Sequence, residues 1–202
     1  MLRKIRSLVS NSNPSYIGIY DNILPSAECE RLISLFEKSP KIEGKCYSEG
    51  SLKVNPEYKK CIELDDCKFS KGDVITNIFS PYLREGIDKY KNEYPVLDTI
   101  NMGKWKCDDA YTFKKYETED DGFKMWHTEH GPDTICSYRV LVWQFYLNNA
   151  QSGTDFMHYP TIRARIGRLV IWPAAWTHFH RSQPNKGLKY IISGWHSYQD
   201  EK

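Results

Sequence analysis

Apolar residues change their spacing once along this chain, from mostly helical before Pro95 to mostly alternating after it. Tyr16 to Ile23 (YIGIYDNI) alternates well enough to predict a first strand. Pro25-Ser26 then announces a helix, with Ser26 as N-cap and Glu28 near the positive end of the helix dipole. Leu32, Ile33 and Phe36 recur at helical spacing, so this helix should lay one stripe against a sheet. Lys38 to Lys60 is polar and turn-rich. Its Gly44, Gly50 and Pro56 predict a loop or β-ribbon, either an ordinary surface insertion or a lid over a pocket. Between Asp73 and Tyr90, the residues Val74, Ile75, Ile78, Phe79, Tyr82, Leu83, Ile87 and Tyr90 trace a second amphipathic helix. Pro81 interrupts it, so a kink or two helices should result.

After Pro95 the runs are short, aromatic and strand-like: Ala110 to Tyr116, Tyr138 to Leu147, Arg168 to Trp172 and Lys189 to His196. Helices first and strands afterwards predict an α+β chain whose later part is a sandwich or jelly roll. No internal repeat or low-complexity tract is present.

Composition narrows this picture. The 202 residues, 40% of them hydrophobic, suit a single domain over 1–202. Aromatic content is 14%, which suits rings packed across two sheets. The formal charge is +2 without a long run of one sign, so the electrostatic footprint of a nucleic-acid binder is missing and no nucleic-acid partner is expected. Met1 to Arg6 is basic, but no apolar run of signal-peptide or membrane-spanning length follows, so a soluble cytoplasmic protein is expected. Cys29, Cys46, Cys61, Cys67, Cys107 and Cys136 form no Cys-x-x-Cys pair and are expected as reduced thiols, several of them buried. A Cys61–Cys67 disulfide is the alternative in an oxidising compartment.

Candidate chemistry concentrates in two pentapeptides that hold four of the six histidines, Trp126-His127-Thr128-Glu129-His130 and Trp176-Thr177-His178-Phe179-His180. An extended strand sends residues i and i+2 to one face, so His127 and Glu129 can address one ion. A second His from a distant strand completes a 2-His-1-carboxylate set with open positions. If the second pentapeptide is extended, His178 and His180 share a face, and periodicity does not choose between them; His130 is a further spare. Zinc hydrolysis would accept the same ligands. Lys189, nine residues after His180, tilts the choice, because a cation near the metal can pair with the far carboxylate of a chelating 2-oxo acid.

These residues resemble those of the Fe(II)- and 2-oxoglutarate-dependent dioxygenases of the prolyl-4-hydroxylase-like branch. Further blocks agree in order: RVLVWQFYLN from Arg139, Gly153-Thr154-Asp155-Phe156, GRLVIWP from Gly167, His180-Arg181-Ser182-Gln183-Pro184, and Lys189-Tyr190-Ile191-Ile192-Ser193-Gly194-Trp195. The chain departs from the pattern in three places. Glu129 stands where Asp is commoner, the His180 to Lys189 spacing is one shorter than in many relatives, and the usual second Gly of the Gly-Gly-x-Thr-x-Phe motif is replaced in Ser152-Gly153-Thr154-Asp155-Phe156.

The resemblance implies a double-stranded β-helix (jelly roll) core over about 105–198, with N-terminal helices of a support region at about 16–95 packed on one sheet. It implies His127, Glu129 and His180 as iron ligands, with His180 preferred because it directly precedes the Arg-x-x-Pro stretch. Lys189 would bind the distal carboxylate of 2-oxoglutarate, and Tyr116, eleven residues before His127, would hydrogen-bond the co-substrate. Thr177 and Trp195 are expected on the pocket wall. Arg139 is expected to steer an acidic group or to serve as a structural ion-pair partner. The implied cofactors are Fe(II), 2-oxoglutarate and O2, with ascorbate as a reductant. The implied activity is hydroxylation of an unactivated C–H bond of a peptide or small-molecule substrate, with a prolyl residue as leading candidate. The competing readings are a zinc hydrolase and a cupin-like metal-binding module without activity.

Overall fold

A computed structural model describes residues 14–48, 51–70 and 72–199. The basic start Met1 to Arg6 and the expected turn residue Gly50 lie outside the described residues.

Among the described residues, two α-helices precede most of the strands. In α1 (Ser26–Lys38) the N-cap is Pro25, not Ser26 as the sequence predicts. The Pro25 backbone, with its ring-fixed φ of −58°, leads into the helix, and its carbonyl accepts from the amides of Glu28 and Cys29 at 3.0 Å each. Ser26 is therefore already inside the first turn. The helix α2 (Val74–Glu93) starts on Asp73, whose carboxylate accepts from the Thr76 amide at 2.7 Å. It continues through Pro81 as one helix, so the two-helix alternative falls away. The proline removes a single bond, to the Asn77 carbonyl, and both residues lie on the exposed side, where water can replace it.

Fourteen strands are described: β1 (Gly18–Tyr20), β2 (Lys41–Glu43), β3 (Lys45–Ser48), β4 (Ser51–Val54), β5 (Lys59–Lys60), β6 (Ile62–Leu64) and β7 (Trp105–Tyr116) come first. They are followed by β8 (Gly122–Phe123), β9 (Arg139–Tyr146), β10 (Gly153–Phe156), β11 (Ile162–Arg163), β12 (Arg168–Pro173), β13 (His180–Ser182) and β14 (Lys189–Tyr198). A large antiparallel sheet has the order β1-β12-β9-β14-β7-β6-β2. A smaller one runs β11-β10-β13, and two-stranded pairs join β3 to β4 and β5 to β8. The region 16–95 is thus not helical support alone: β1, β2 and β6 complete the large sheet, and β3 paired with β4 matches the β-ribbon alternative.

Each long strand divides its side chains between two environments. Phe113, Trp143, Phe145, Leu169, Ile171 and Ile192 cluster with Leu32 and Phe36 of α1 and with Phe79 and Leu83 of α2. The Phe36 and Phe113 rings lie 4.8 Å apart, and those of Phe79 and Trp143 5.6 Å apart. Burial of each such ring stabilises by about 1.5–3 kcal/mol. On the other face Tyr116, Val142, Tyr146, Val170, Trp172 and Ile191 meet Phe156 and Ile162 of the small sheet. Gly153 permits the close approach of β10 to β11, because a Cβ there would lie 1.9 Å from the Ile162 carbonyl oxygen. No helix among the described residues is long and apolar enough to cross a membrane.

Candidate metal centre

His127, Glu129 and His180 come together between the two sheets, with one ligand atom of each within 4.8 Å of the others. His180 opens β13, and the His127 backbone pairs with it: each amide donates to the other's carbonyl, at 3.0 and 2.9 Å. The two imidazole rings are 4.3 Å apart. Glu129 Oε1 lies 3.6 Å from the Nε2 atom of each histidine.

Both rings are oriented by backbone. His127 Nδ1 is 2.9 Å from the Met125 carbonyl oxygen, and His180 Nδ1 is 2.9 Å from that of His178. A carbonyl only accepts, so each Nδ1 carries a proton and Nε2 is the atom that each ring turns towards Glu129. Burial alone would raise the Glu129 carboxyl, but its contacts with His127 and His180 outweigh this and hold it well below the usual carboxylate range. Burial, and then the neighbouring charge of His127, push His180 down. With both Nε2 atoms deprotonated, as a metal requires, two imidazole lone pairs and the Glu129 carboxylate form a set that fits a divalent cation and leaves further coordination positions.

The second oxygen of Glu129 is already engaged. Oε2 accepts from Arg139 Nη1 at 3.0 Å and from Trp195 Nε1 at 2.9 Å, and the Arg139 guanidinium lies 3.8 Å above the Trp195 ring. Arg139 is thus an ion-pair partner, and the acid it holds is the candidate ligand itself. Trp195 lines the cleft and fixes the same carboxylate. This clamp directs Oε1 at the histidines. Apolar rings close the other sides, with Phe123 stacked on His127 at 3.8 Å and Trp172 5.2 Å from His180.

His178 stays out of the group. Residues 176–178 form a 3-10 turn rather than a strand, so the alternation that would put His178 and His180 on one face does not hold. Both ring nitrogens of His178 are occupied, Nδ1 by the Thr177 hydroxyl at 2.9 Å and Nε2 by the Ser15 carbonyl at 2.8 Å. Thr177 sits exposed on that turn and is not among the residues lining the cleft. His130 is also exposed, its backbone amide bound to the Ala174 carbonyl at 3.0 Å.

Lys189 begins β14 directly opposite Tyr116 on β7. It is 2% exposed, and its ammonium lies 4.7 Å from the centre of the Tyr116 ring. Among the described residues no carboxylate reaches it to form an ion pair. Burial pushes it down to about 8, and the more distant Asp155 only partly offsets that. A buried cation of this kind is costly until an anion arrives.

The cleft holds about 640 Å³ and is lined by further polar groups that the motif reading did not single out, among them Lys114, Gln144, Thr154 and Ser193. Thr154 Oγ1 receives the Gln144 amide at 3.2 Å and lies 2.7 Å from the Tyr146 hydroxyl. The signal available was alternation: Gln144 and Tyr146, like Lys114 and Tyr116, are two residues apart on one strand and share a face. The β3–β4 hairpin contributes Tyr47 and Leu52, opposite each other and largely exposed, to the mouth of the cleft.

Comparison with solved structures identifies this as a prolyl-hydroxylase fold. The viral collagen prolyl hydroxylase of Paramecium Bursaria Chlorella virus-1, in its 2OG complex, aligns with a TM-score of 0.62 at 16% identity, covering 91% of this chain and 97% of that one. A Trichoplax adhaerens prolyl hydroxylase, in complex with a peptide fragment of the hypoxia inducible factor oxygen degradation domain, gives 0.67 at 16% identity over 96% and 89%. A Pseudomonas putida prolyl-4-hydroxylase gives 0.61 at 16% identity over 91% and 92%. No family model matches the sequence. No curated protein matches it either.

Proposed function

We propose that the chain is an Fe(II)- and 2-oxoglutarate-dependent dioxygenase that hydroxylates an unactivated C–H bond. A prolyl residue of a peptide or protein is the leading substrate. The domain would span 1–202, with the two facing sheets forming a double-stranded β-helix over about 105–198. Solved structures of the same fold include one with 2OG and one with a peptide fragment, each a property of that protein, and both are consistent with this reading.

The observation that carries the proposal is Lys189, a buried ammonium without a carboxylate partner on the sheet that faces the His127–Glu129–His180 group. In a zinc hydrolase such a cation would have no task. Here His127, Glu129 and His180 would hold the iron, and Lys189 would take the distal carboxylate of 2-oxoglutarate. Tyr116, across the strand pair from Lys189, would flank the same anion. When bound, Fe(II), 2-oxoglutarate and O2 supply the oxidising power, with succinate and carbon dioxide as co-products.

The rest of the work falls to the chain. Arg139 and Trp195 keep Glu129 Oε2 occupied, so that the carboxylate offers Oε1 in one orientation. The carbonyls of Met125 and His178 hold the Nδ1 protons, which keeps both Nε2 atoms free as donors. Phe123, Phe156 and Trp172 pack apolar rings against the two imidazoles.

Anaerobic titration of the Fe(II)-loaded protein with 2-oxoglutarate tests the proposal through the visible charge-transfer band that bidentate chelation produces. The wild type should develop the band. Lys189→Ala should need roughly 10- to 100-fold more co-substrate, the equivalent of one lost charge-assisted hydrogen bond. Iron bound without a band at any concentration would sink the oxygenase and leave the zinc hydrolase or the inactive metal-binding module.

A further inference from the structure

Lys114 presents a second ammonium to the cleft. It lies on β7 two residues before Tyr116, so both side chains share the face towards the candidate metal centre. Its Nζ donates to Ser193 Oγ at 3.3 Å, and that hydroxyl lies 2.9 Å from Thr112 Oγ1. An ammonium carries three protons, and here one has a partner. Among the described residues no carboxylate forms an ion pair with it, because the acids around it are taken. Glu63 pairs with Lys59 at 2.5 Å, and Glu129 pairs with Arg139 at 3.0 Å. Burial and the charge of Lys59 push Lys114 down from its ordinary value, so the charged form is disfavoured until an anion joins it.

Two ammoniums without a carboxylate partner can receive two anions. Lys189 faces Tyr116 at one rung of the β14–β7 ladder, whereas Lys114 faces Ile191 two residues further along β14 and reaches Ser193. If Lys189 anchors the co-substrate, as the reading above has it, a single distal carboxylate leaves Lys114 unsatisfied. We infer that Lys114, with Ser193 and Thr112, forms a recognition site for an anionic group of the primary substrate, a carboxylate or phosphate carried close to the carbon that is hydroxylated. The inference rests on the oxygenase reading and narrows its substrate to acidic molecules. Lys45, which also lines the mouth of the cleft, adds a further positive charge on the approach.

The test is calorimetric titration of the Mn(II)- and 2-oxoglutarate-loaded protein with four N-terminally acetylated peptides, the first three also amidated at the C-terminus. One holds proline followed by Glu, one proline followed by Gln, one proline followed by phosphoserine, and one ends in proline with a free carboxylate. At least one anionic peptide should bind about 10-fold or more tightly than the Gln peptide. Which one does so separates a side-chain carboxylate from a terminal carboxylate or a phosphate. Lys114→Met should erase the preference and Lys114→Arg should retain it. Ser193→Ala should weaken the anionic peptides alone, which keeps the test open if the Met variant does not fold. Equal binding by all four peptides, no binding by any, or a preference that survives in Lys114→Met overturns the inference. So does a charge-transfer titration in which Lys114→Met, rather than Lys189→Ala, raises the co-substrate requirement. Absence of the band in the wild type instead removes the oxygenase reading itself, and that result is distinct from all of these.

Discussion

The two faces of the large sheet are made by the same strands and do different chemistry. Along β14, Tyr190 and Ile192 turn to the helices, while Ile191, Ser193 and Trp195 turn to the cleft and Lys189 lies behind them against the Tyr116 ring. Along β9, Trp143 and Phe145 pack against α2, while Gln144 and Tyr146 bind the Thr154 hydroxyl. The helix side is a closed apolar layer, and the cleft side collects cations, hydroxyls and imidazoles. A period of two residues lets one strand serve folding and binding at once, because neighbouring side chains never share a partner. Substitutions on the two faces should therefore fail in different assays.

The largest separation is expected from Phe79→Ala, which removes a fully buried ring from the helix side. Urea unfolding should show a loss of about 3–5 kcal/mol, a large part of the stability of an ordinary domain. Metal affinity of the molecules still folded should stay unchanged. A parallel loss of metal affinity would show that the faces are coupled through the sheet.

A smaller effect comes from pH. Burial holds Lys189 at about 8, against 10.5 for a free lysine. Below pH 8 both folded and unfolded chains keep the proton, and the folded chain bears the full cost of burying it. Between about pH 8 and 10.5 the folded chain loses the proton first, so its stability should rise by roughly 3 kcal/mol at most, a gain absent from Lys189→Met. Over the same interval co-substrate affinity should fall, since the ammonium that receives the carboxylate disappears. Stability and binding moving together with pH would contradict an unpaired buried cation.

The smallest is Trp195→Phe, which keeps the ring and deletes the hydrogen bond to Glu129 Oε2. Metal affinity should drop about 10-fold with little change in urea midpoint, as expected for a group that only orients a ligand. An unchanged affinity would mean that Arg139 alone fixes the carboxylate.

The long strands β7, β9, β12 and β14 were legible because runs rich in β-branched and aromatic residues persist over six or more positions. The short strands β5, β8, β11 and β13 were not, since two or three residues hold no period. Continuity of α2 through Pro81 was hidden because the cost of a helical proline depends on which carbonyl loses its partner, and here that residue faces solvent. In the site, His127 and Glu129 converge as their spacing suggests. His180 rather than His178 lies beside them because 176–178 form a 3-10 turn, a local geometry that alternation does not encode. The clamp of Arg139 and Trp195 on Glu129 joins residues ten and sixty-six positions from it, a contact that no local pattern carries. All six cysteines are free thiols, including Cys61 and Cys67, so the disulfide alternative falls away.

The paired backbones of His127 and His180 carry a consequence in time rather than in energy. Each residue's amide is tied to the other's carbonyl and each Nδ1 to a further carbonyl, so neither ring would swing far from a bound ion while these bonds stand. Escape of a captured ion would then wait for the bridge to open, and its residence half-life would follow that local opening rather than the unfolding of the whole domain. The amide protons of these two histidines would act as clocks, exchanging with solvent at the pace at which the metal is released.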